Sequence, residues 1–422
     1  MFLSIYMLQI TKSLRNRSLP VVLFTIFVDM LGYGILIPVV PQLLGNENSS
    51  FSVLSAGMSI NQGYILLGFL VASYPFMQFL ATPILGQMSD KFGRKKVLAI
   101  ALIGTCISYV AFAIGIITKN IPLLFASRAF DGITGGNISV AQAAIADIST
   151  PDNRSRNFGF IGAAFGLGLI IGPYIGGKLS DPNLVHWFSA ATPFWFAAGL
   201  SFINVMSVIF LFPETLTNIR SKVSIQWFRS IKNIVSAYGM KTLRIPFISS
   251  FMYQAGFSFF ITFFSIYLIN KFSFTQGNIG DFFAYIGVWT VFSQVFVNSN
   301  VSKWFSEYNI LRISLIALAG SIALFFAPST GWGLLFIVPF FAIFIGLVQA
   351  KFLSLISRSV SSEQQGQMLG VNSSINTLGQ SLPPIMSGYL AAILTPSAPI
   401  IISAILILFS GLIFVVYYKK RY

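Results

Sequence analysis

Apolar runs of about twenty residues recur along the whole chain, separated by short clusters of glycine, proline, asparagine and charged residues. Hydropathy and breaker residues place twelve helical spans. The first six are Pro20 to Leu44, Asn61 to Met88, Lys96 to Ile117, Pro122 to Ile148, Asn157 to Leu179 and Ala190 to Phe212. The second six are Pro246 to Ile269, Asn278 to Asn300, Ile310 to Pro328, Trp332 to Ile356, Gly366 to Ile393 and Ser397 to Tyr418. The runs are continuous rather than alternating, so the strands of a membrane β-barrel do not fit. An all-α polytopic membrane protein does, because a helix satisfies its own backbone in hydrocarbon.

Composition agrees: 55% of the 422 residues are hydrophobic and 9% are charged, against about a quarter charged in a soluble domain. The single cysteine, Cys106, permits no intramolecular disulfide. His186, alone of its kind, sits beside Trp187 in a connecting loop and reads as an interfacial residue. No Cys/His cluster, nucleophile elbow or P-loop is present, so no catalytic residue, metal ligand or cofactor is expected. Energy is expected from a proton gradient.

The net charge of +15 gains meaning from where the cations lie. One set of connections holds most of them, including Lys12, Arg15, Arg17, Lys91, Arg94, Lys95, Lys96, Arg154, Arg156, Arg220, Lys222, Lys241, Arg358, Lys419, Lys420 and Arg421. The opposite set holds Lys119, Lys178 and Lys271. The positive-inside rule then puts both termini in the cytoplasm of a multi-pass protein of the cell membrane. The basic charge is a topology signal, not a nucleic-acid footprint. The segment before span one lacks a cleavage site and is expected on the membrane surface.

Gly159 and Gly370, Gly168 and Gly379, Pro173 and Pro384, and Gly177 and Gly388 are each separated by 211 positions, half the chain. The same offset matches Gly135 to Gly346, so spans four and five recur as ten and eleven, the mark of two related halves. The expected organisation is a six-helix bundle over residues 1–212, a linker over 213–245 and a second six-helix bundle over 246–422. Within the linker, Trp227, Phe228, Ile231, Ile234, Val235 and Tyr238 fall at helical spacing around Arg229 and Lys232, which predicts an interfacial amphipathic helix.

Four stretches carry candidate chemistry. "TIFVDMLGYGILIPVVPQLL" places Asp29 near mid-membrane, where nothing in its own segment neutralises it, so it must face protein or water. "GQMSDKFGRKKVL" orders Gly86, Asp90, Gly93 and Arg94, an arrangement that a merely basic loop does not require. "SRAFDGITGG" sets Arg128 and Asp131 on one helix face. "GLGLIIGPYIGG" spaces Gly168, Gly172 and Gly176 four apart with Pro173 and Gly177, a smooth stripe for close helix packing.

In this order the four stretches resemble the motifs of the major facilitator superfamily, in particular its 12-span drug:proton antiporter group, nearest the tetracycline-efflux branch. The resemblance implies alternating access by two pseudo-symmetric bundles and proton-coupled efflux of amphipathic or hydrophobic small molecules, as in multidrug and antibiotic resistance, by a monomer. It implies that Asp90 braces the N-terminus of span eleven, that Arg94 bridges to Asp147 at the end of span four, and that Arg128 takes part in proton coupling. Asp131 is either a protonatable group tuned by Arg128 or half of a permanent ion pair. Tyr33, Asn137, Gln142, Gln254 and Lys351 are candidate cavity residues; the remaining intramembrane amides are first candidates for helix–helix hydrogen bonds. The second-half copies are degenerate, as in "VSKWFSEYN". Ser108 stands where that branch is expected to have an acidic residue and span nine has no carboxylate, which argues against a metal-chelated tetracycline as cargo. Proton-coupled uptake of a nutrient, or a non-transporting sensor or scaffold, are the alternatives; the glycine motif of span five argues against uptake.

Overall fold

Helix starts are written locally. Ser59, Asn120 and Thr275 each accept a hydrogen bond from the backbone N–H near the start of the following helix, and Gln62 and Asn278 return the favour as capping boxes. The computed structural model describes residues 2–216, 225–240, 243–359 and 365–418. Among them every regular element is helical. The elements are α1 (Phe2–Leu44), α2 (Ile60–Phe92), α3 (Arg94–Ile117), α4 (Ile121–Thr134), α5 (Ile138–Ile148), α6 (Pro151–Leu179), α7 (Thr192–Leu211) and α8 (Arg229–Gly239). They continue as α9 (Arg244–Phe272), α10 (Gln276–Phe292), α11 (Asn298–Trp304), α12 (Glu307–Leu324), α13 (Gly331–Arg358), α14 (Gln365–Ile393) and α15 (Ala398–Tyr417).

With α4–α5 and α10–α11 each counted as one, and α8 set aside, these are the twelve spans. Ten are long and apolar enough to cross a membrane by themselves. The others are the broken α4–α5 and α14, whose run of Asn, Ser, Thr and Gln lowers its hydropathy. Span four was expected as one helix; the structure breaks it with a 3-10 turn at Gly135–Asn137. Span eight contains a π turn at Ser293–Val297. The spans expected from the sequence left a loop between Met88 and Lys96, but α2 runs to Phe92 and only Gly93 separates it from α3. Gly93 makes this possible by adopting φ +96°, a conformation strained for any side chain.

Of the residues singled out in the sequence, Arg220, Lys222, Lys241, Lys419, Lys420 and Arg421 lie outside the described residues. So do the side chains of Lys12, Arg15, Arg17, Arg154, Tyr238 and Arg358.

The glycine stripe of α6 is a helix seam. A Cβ on Gly168, Gly172 or Gly176 would lie 2.5–2.7 Å from atoms of α1 between Met30 and Ile35, mostly backbone. Gly177 turns the other way and meets Gly280 of α10 in the second half. The pseudo-equivalent Gly379 packs on Gln254 of α9, and Gly388 packs on α2 beside Gly68. Each half thus lends one helix to the other, α6 against α10 and α14 against α2.

These seams lie at the end opposite the basic connections, where Ser265 Oγ also donates to the Ile37 carbonyl at 3.1 Å and Lys178 pairs with Asp281 at 2.8 Å. Toward the basic end contact is lost. A Cβ on Gly159, Gly162 or Gly166 of α6, or on Gly370 of α14, would meet open space, and α11 buries none of its residues. The halves therefore touch at one end and part toward the other.

Gly172→Ala is expected to lower the thermal midpoint of the protein in detergent, because backbone atoms of α1 cannot swing aside and overpacking costs about 1–3 kcal/mol. Gly159→Ala, whose methyl enters open space, should leave the midpoint unchanged.

Candidate functional site

Four helices of the first half converge where α4 breaks. Close packing of α6 on α1 fixes the depth and rotation of Asp29, which is buried at 6% exposure. Asn137, the last residue of the 3-10 turn, lies near the Asp29 carboxyl without a hydrogen bond to it, and Asp131 is close by. One turn before the break, Arg128 and Asp131 form an ion pair at 2.5 Å with each side chain 4% exposed. Sequence spacing thus correctly brings Arg128 and Asp131 together, and the fold adds Asp29 and Asn137 from a distance.

Two tyrosines that had not been singled out in the sequence, Tyr74 and Tyr109, complete this cluster. The Arg128 guanidinium lies over the Tyr74 ring at 4.6 Å, a cation–π contact, and Tyr33 packs on the same ring at 6.0 Å. The Gln78 side chain donates to the Tyr74 hydroxyl at 3.0 Å and to the Gly135 carbonyl at 2.9 Å, which ties α2 to the break in α4. Tyr109 of α3 lies so close to Gly32 that any side chain there would overlap its hydroxyl. The only sequence hint of Tyr74 is its i,i+4 spacing to Gln78 in an otherwise apolar span; Tyr109 left none.

The balance of charge is the chemical content of the cluster. Two carboxylates face one guanidinium, so the group carries one net negative charge when both acids are ionised and none when one holds a proton. Asp29 Oδ2, Arg128 Nε and both side-chain polar atoms of Asn137 have no hydrogen-bond partner among the described residues. Buried polar atoms are rarely left so, and these four are grouped in one place.

Above the cluster, a pocket between the halves is lined by Tyr33, Leu36, Ile37 and Val40 of α1, Leu67 and Val71 of α2, Arg128, and Ile261 and Thr262 of α9. Its first-half wall carries the charge and its second-half wall is apolar or neutral. Gln142 is half-buried on α5 and Gln254 packs against Gly379. Lys351 goes elsewhere: it is buried on α13 and donates to Ser302 of α11 at 2.6 Å.

A second group of charges lies at the basic end. Arg94 pairs with Asp90 at 2.6 Å and with Asp147 at 3.0 Å, and reaches Ser89 Oγ at 2.5 Å. Glu214, which follows α7, accepts from the backbone N–H groups of Arg94 at 2.9 Å and Lys95 at 3.1 Å, so it caps the N-terminus of α3. The Arg94–Asp147 bridge forms as expected. Asp90 pairs with Arg94 in the same half; the side chains at the N-terminus of α14, where its brace was expected, lie outside the described residues. Glu214 was missed because its partner is 120 residues away.

The sequence matches the family model of the Major Facilitator Superfamily over residues 22–382 and again over 246–422. The chain belongs to this superfamily. Its relatives include the class C tetracycline resistance protein of Escherichia coli, 31% identical over 371 residues that cover 88% of this chain and 89% of the relative. Multidrug resistance protein 1 of Bacillus subtilis (strain 168) is 28% identical, covering 89% of this chain and 90% of its own. The quinolone resistance protein NorA of Staphylococcus aureus (strain COL) is 27% identical with the same coverage. Among solved structures, a D-xylose–proton symporter superposes with a TM-score of 0.75 at 15% identity, covering 95% of this chain and 98% of that one. The human organic anion transporter MFSD10 does so with 0.70 at 22%, covering 95% and 99%. The superfamily fold of two six-helix halves is thus common to both structures and this chain, a multi-pass membrane protein.

Asp131→Asn should destabilise the protein by about 3–5 kcal/mol, since it strands the Arg128 charge in a buried site. The double variant Arg128→Met/Asp131→Leu, which removes both charges, should lose less. Thermal midpoints in detergent measure both; a double variant as unstable as the single would contradict the pairing argument.

Proposed function

We propose that this chain is a proton-coupled exporter of amphipathic or hydrophobic small molecules, acting by alternating access as a monomer in the cell membrane with both termini in the cytoplasm. The observation that carries the proposal is the cluster itself: a buried carboxyl with an unpartnered oxygen, beside an ion pair that faces a pocket between two halves. The names of the relatives, which speak of resistance to tetracycline, quinolones and multiple drugs, support export of drug-like cargo.

Asp29 carries the proton in this account. Its ionisation leaves the cluster one charge negative and ready for the positive end of an amphipath; a proton there removes that attraction and releases the cargo. The Arg128–Asp131 pair holds its geometry and sets the field that Asp29 feels. The apolar wall from α9 meets the lipophilic body. Coupling follows because proton and cargo compete for one group while the two orientations of the halves bind them with different affinity. A charge here is costly, roughly 2.5–3.5 kcal/mol at a helix centre, so the cluster is better read as functional than as packing. No metal ion or bound cofactor enters the cycle, and with Ser108 beside Tyr109 the cargo is taken to be a metal-free compound.

The test is proton flux in proteoliposomes challenged with a panel of lipophilic compounds. The native chain is expected to exchange protons for at least one of them, Asp29→Asn to lose the exchange, and Arg128→Ala to lose most of it. Equal flux in all three would remove both residues from the mechanism.

A further inference from the structure

Linker helix α8 presents two different faces. Its buried face ties the halves together: Ser230 Oγ donates to the Phe79 carbonyl of α2, and Asn233 Nδ2 donates to Ser374 Oγ of α14 at 3.2 Å. Just before the helix, the Gln226 N–H donates to Gln87 Oε1 of α2 at 2.8 Å. Ala237 joins Leu243, Phe247, Met368 and Val371 in a small apolar core of the second half. The opposite face is bare. Trp227, Phe228, Ile231 and Val235, at helical spacing, are 48–74% exposed, and Arg229 and Lys232 beside them are exposed as well.

The contacts with α2 fix the depth of this face. Phe79 precedes Asp90 by eleven residues, or about 16 Å along a helix axis, and Asp90 belongs to the charged end of the span. One end of α8 therefore reaches well below the level of the charged loops, where the surroundings of a superfamily member are acyl chain and glycerol backbone. Its apolar face is left uncovered at that end. The stretch from Gln226 to Met240 contains two cations and no acidic residue, so the headgroups that suit it are anionic.

We infer that α8 is a lipid-anchored strap, whose inner face bridges α2 and α14 while its outer face docks into the anionic cytoplasmic leaflet, so that leaflet charge governs how firmly the strap is seated across the two halves. The inference rests on the cytoplasmic placement of the basic end, not on the cargo or on proton coupling. It gives the linker a task beyond connection. Alternation must change the spacing of α2 and α14 at this end, and that motion breaks one of the two hydrogen bonds of the strap or drags α8 through the leaflet.

The test reads location directly and needs no transport. In the full-length chain carrying Cys106→Ser, an environment-sensitive fluorophore is attached at Trp227→Cys, and in a control chain at Asn183→Cys in a far-end loop. Both are placed in phosphatidylcholine vesicles with increasing phosphatidylglycerol and with lipids spin-labelled just below the headgroup. The label at 227 should be quenched several-fold, more strongly as phosphatidylglycerol rises, while that at 183 stays aqueous. Adding Arg229→Gln and Lys232→Gln should weaken the dependence on phosphatidylglycerol by about fivefold per cation removed. An unquenched label at 227, or quenching indifferent to phosphatidylglycerol in the chain with both cations, would overturn the inference. A label that fails to dock while proton flux persists refutes the strap alone; one that docks without proton flux refutes the proposed function alone.

Discussion

Three formal charges packed inside one half of a membrane protein constrain the structure around them. Asp29, Arg128 and Asp131 lie where no bulk water compensates them, so each must be balanced by a neighbour or by a proton. The balance draws on three helices and on the turn that interrupts one of them. Arg128 is neutralised by Asp131 within its own helix and stacked on Tyr74 of α2; Asn137 comes near the Asp29 carboxyl because α4 breaks there. The break is where the backbone yields so that a polar residue can face the first helix.

The glycine seams serve this arrangement. Bringing α6 into backbone contact with α1 fixes the rotation of the helix that carries Asp29, and the same α6 meets the second half through Gly177 and Gly280. One helix thus reports to both the charged cluster and the contact between halves. In the proposed cycle a change in charge at Asp29 would act on α1 and, through α6, on the seam between the halves. Ion pairs at both ends frame the motion: Lys178 with Asp281 across the closed end, and Arg94 with Asp90 and Asp147 within the first half at the open end.

Much of this was legible in the sequence because membranes impose a strict code. Continuous apolar runs had to be helices, the cations had to sort to one end, and the internal repeat had to mean two halves. Arg128 and Asp131 are three apart on a helix, so their pairing followed from local geometry. What was hidden depends on distance in the chain. Glu214 caps α3 from 120 residues away. Tyr74 and Tyr109 are aromatic residues in aromatic-rich spans, and only the fold shows that their polar ends turn inward. The break at Gly135–Asn137 was masked because two glycines in a membrane helix more often mean packing than a change of helix type. Asp90 pairs with Arg94 within its own half, and the side chains at the start of span eleven, where its brace was expected, lie outside the described residues.

The central claim is that Asp29 yields its proton when cargo binds. The measurement that meets it most directly is proton release on mixing a lipophilic cation with the detergent-solubilised protein in weakly buffered solution. The native chain should release protons in proportion to cargo bound, and Asp29→Asn, provided it still binds, should release none. Equal release from both proteins, or binding by the native chain with no release at any pH tried, would contradict the account.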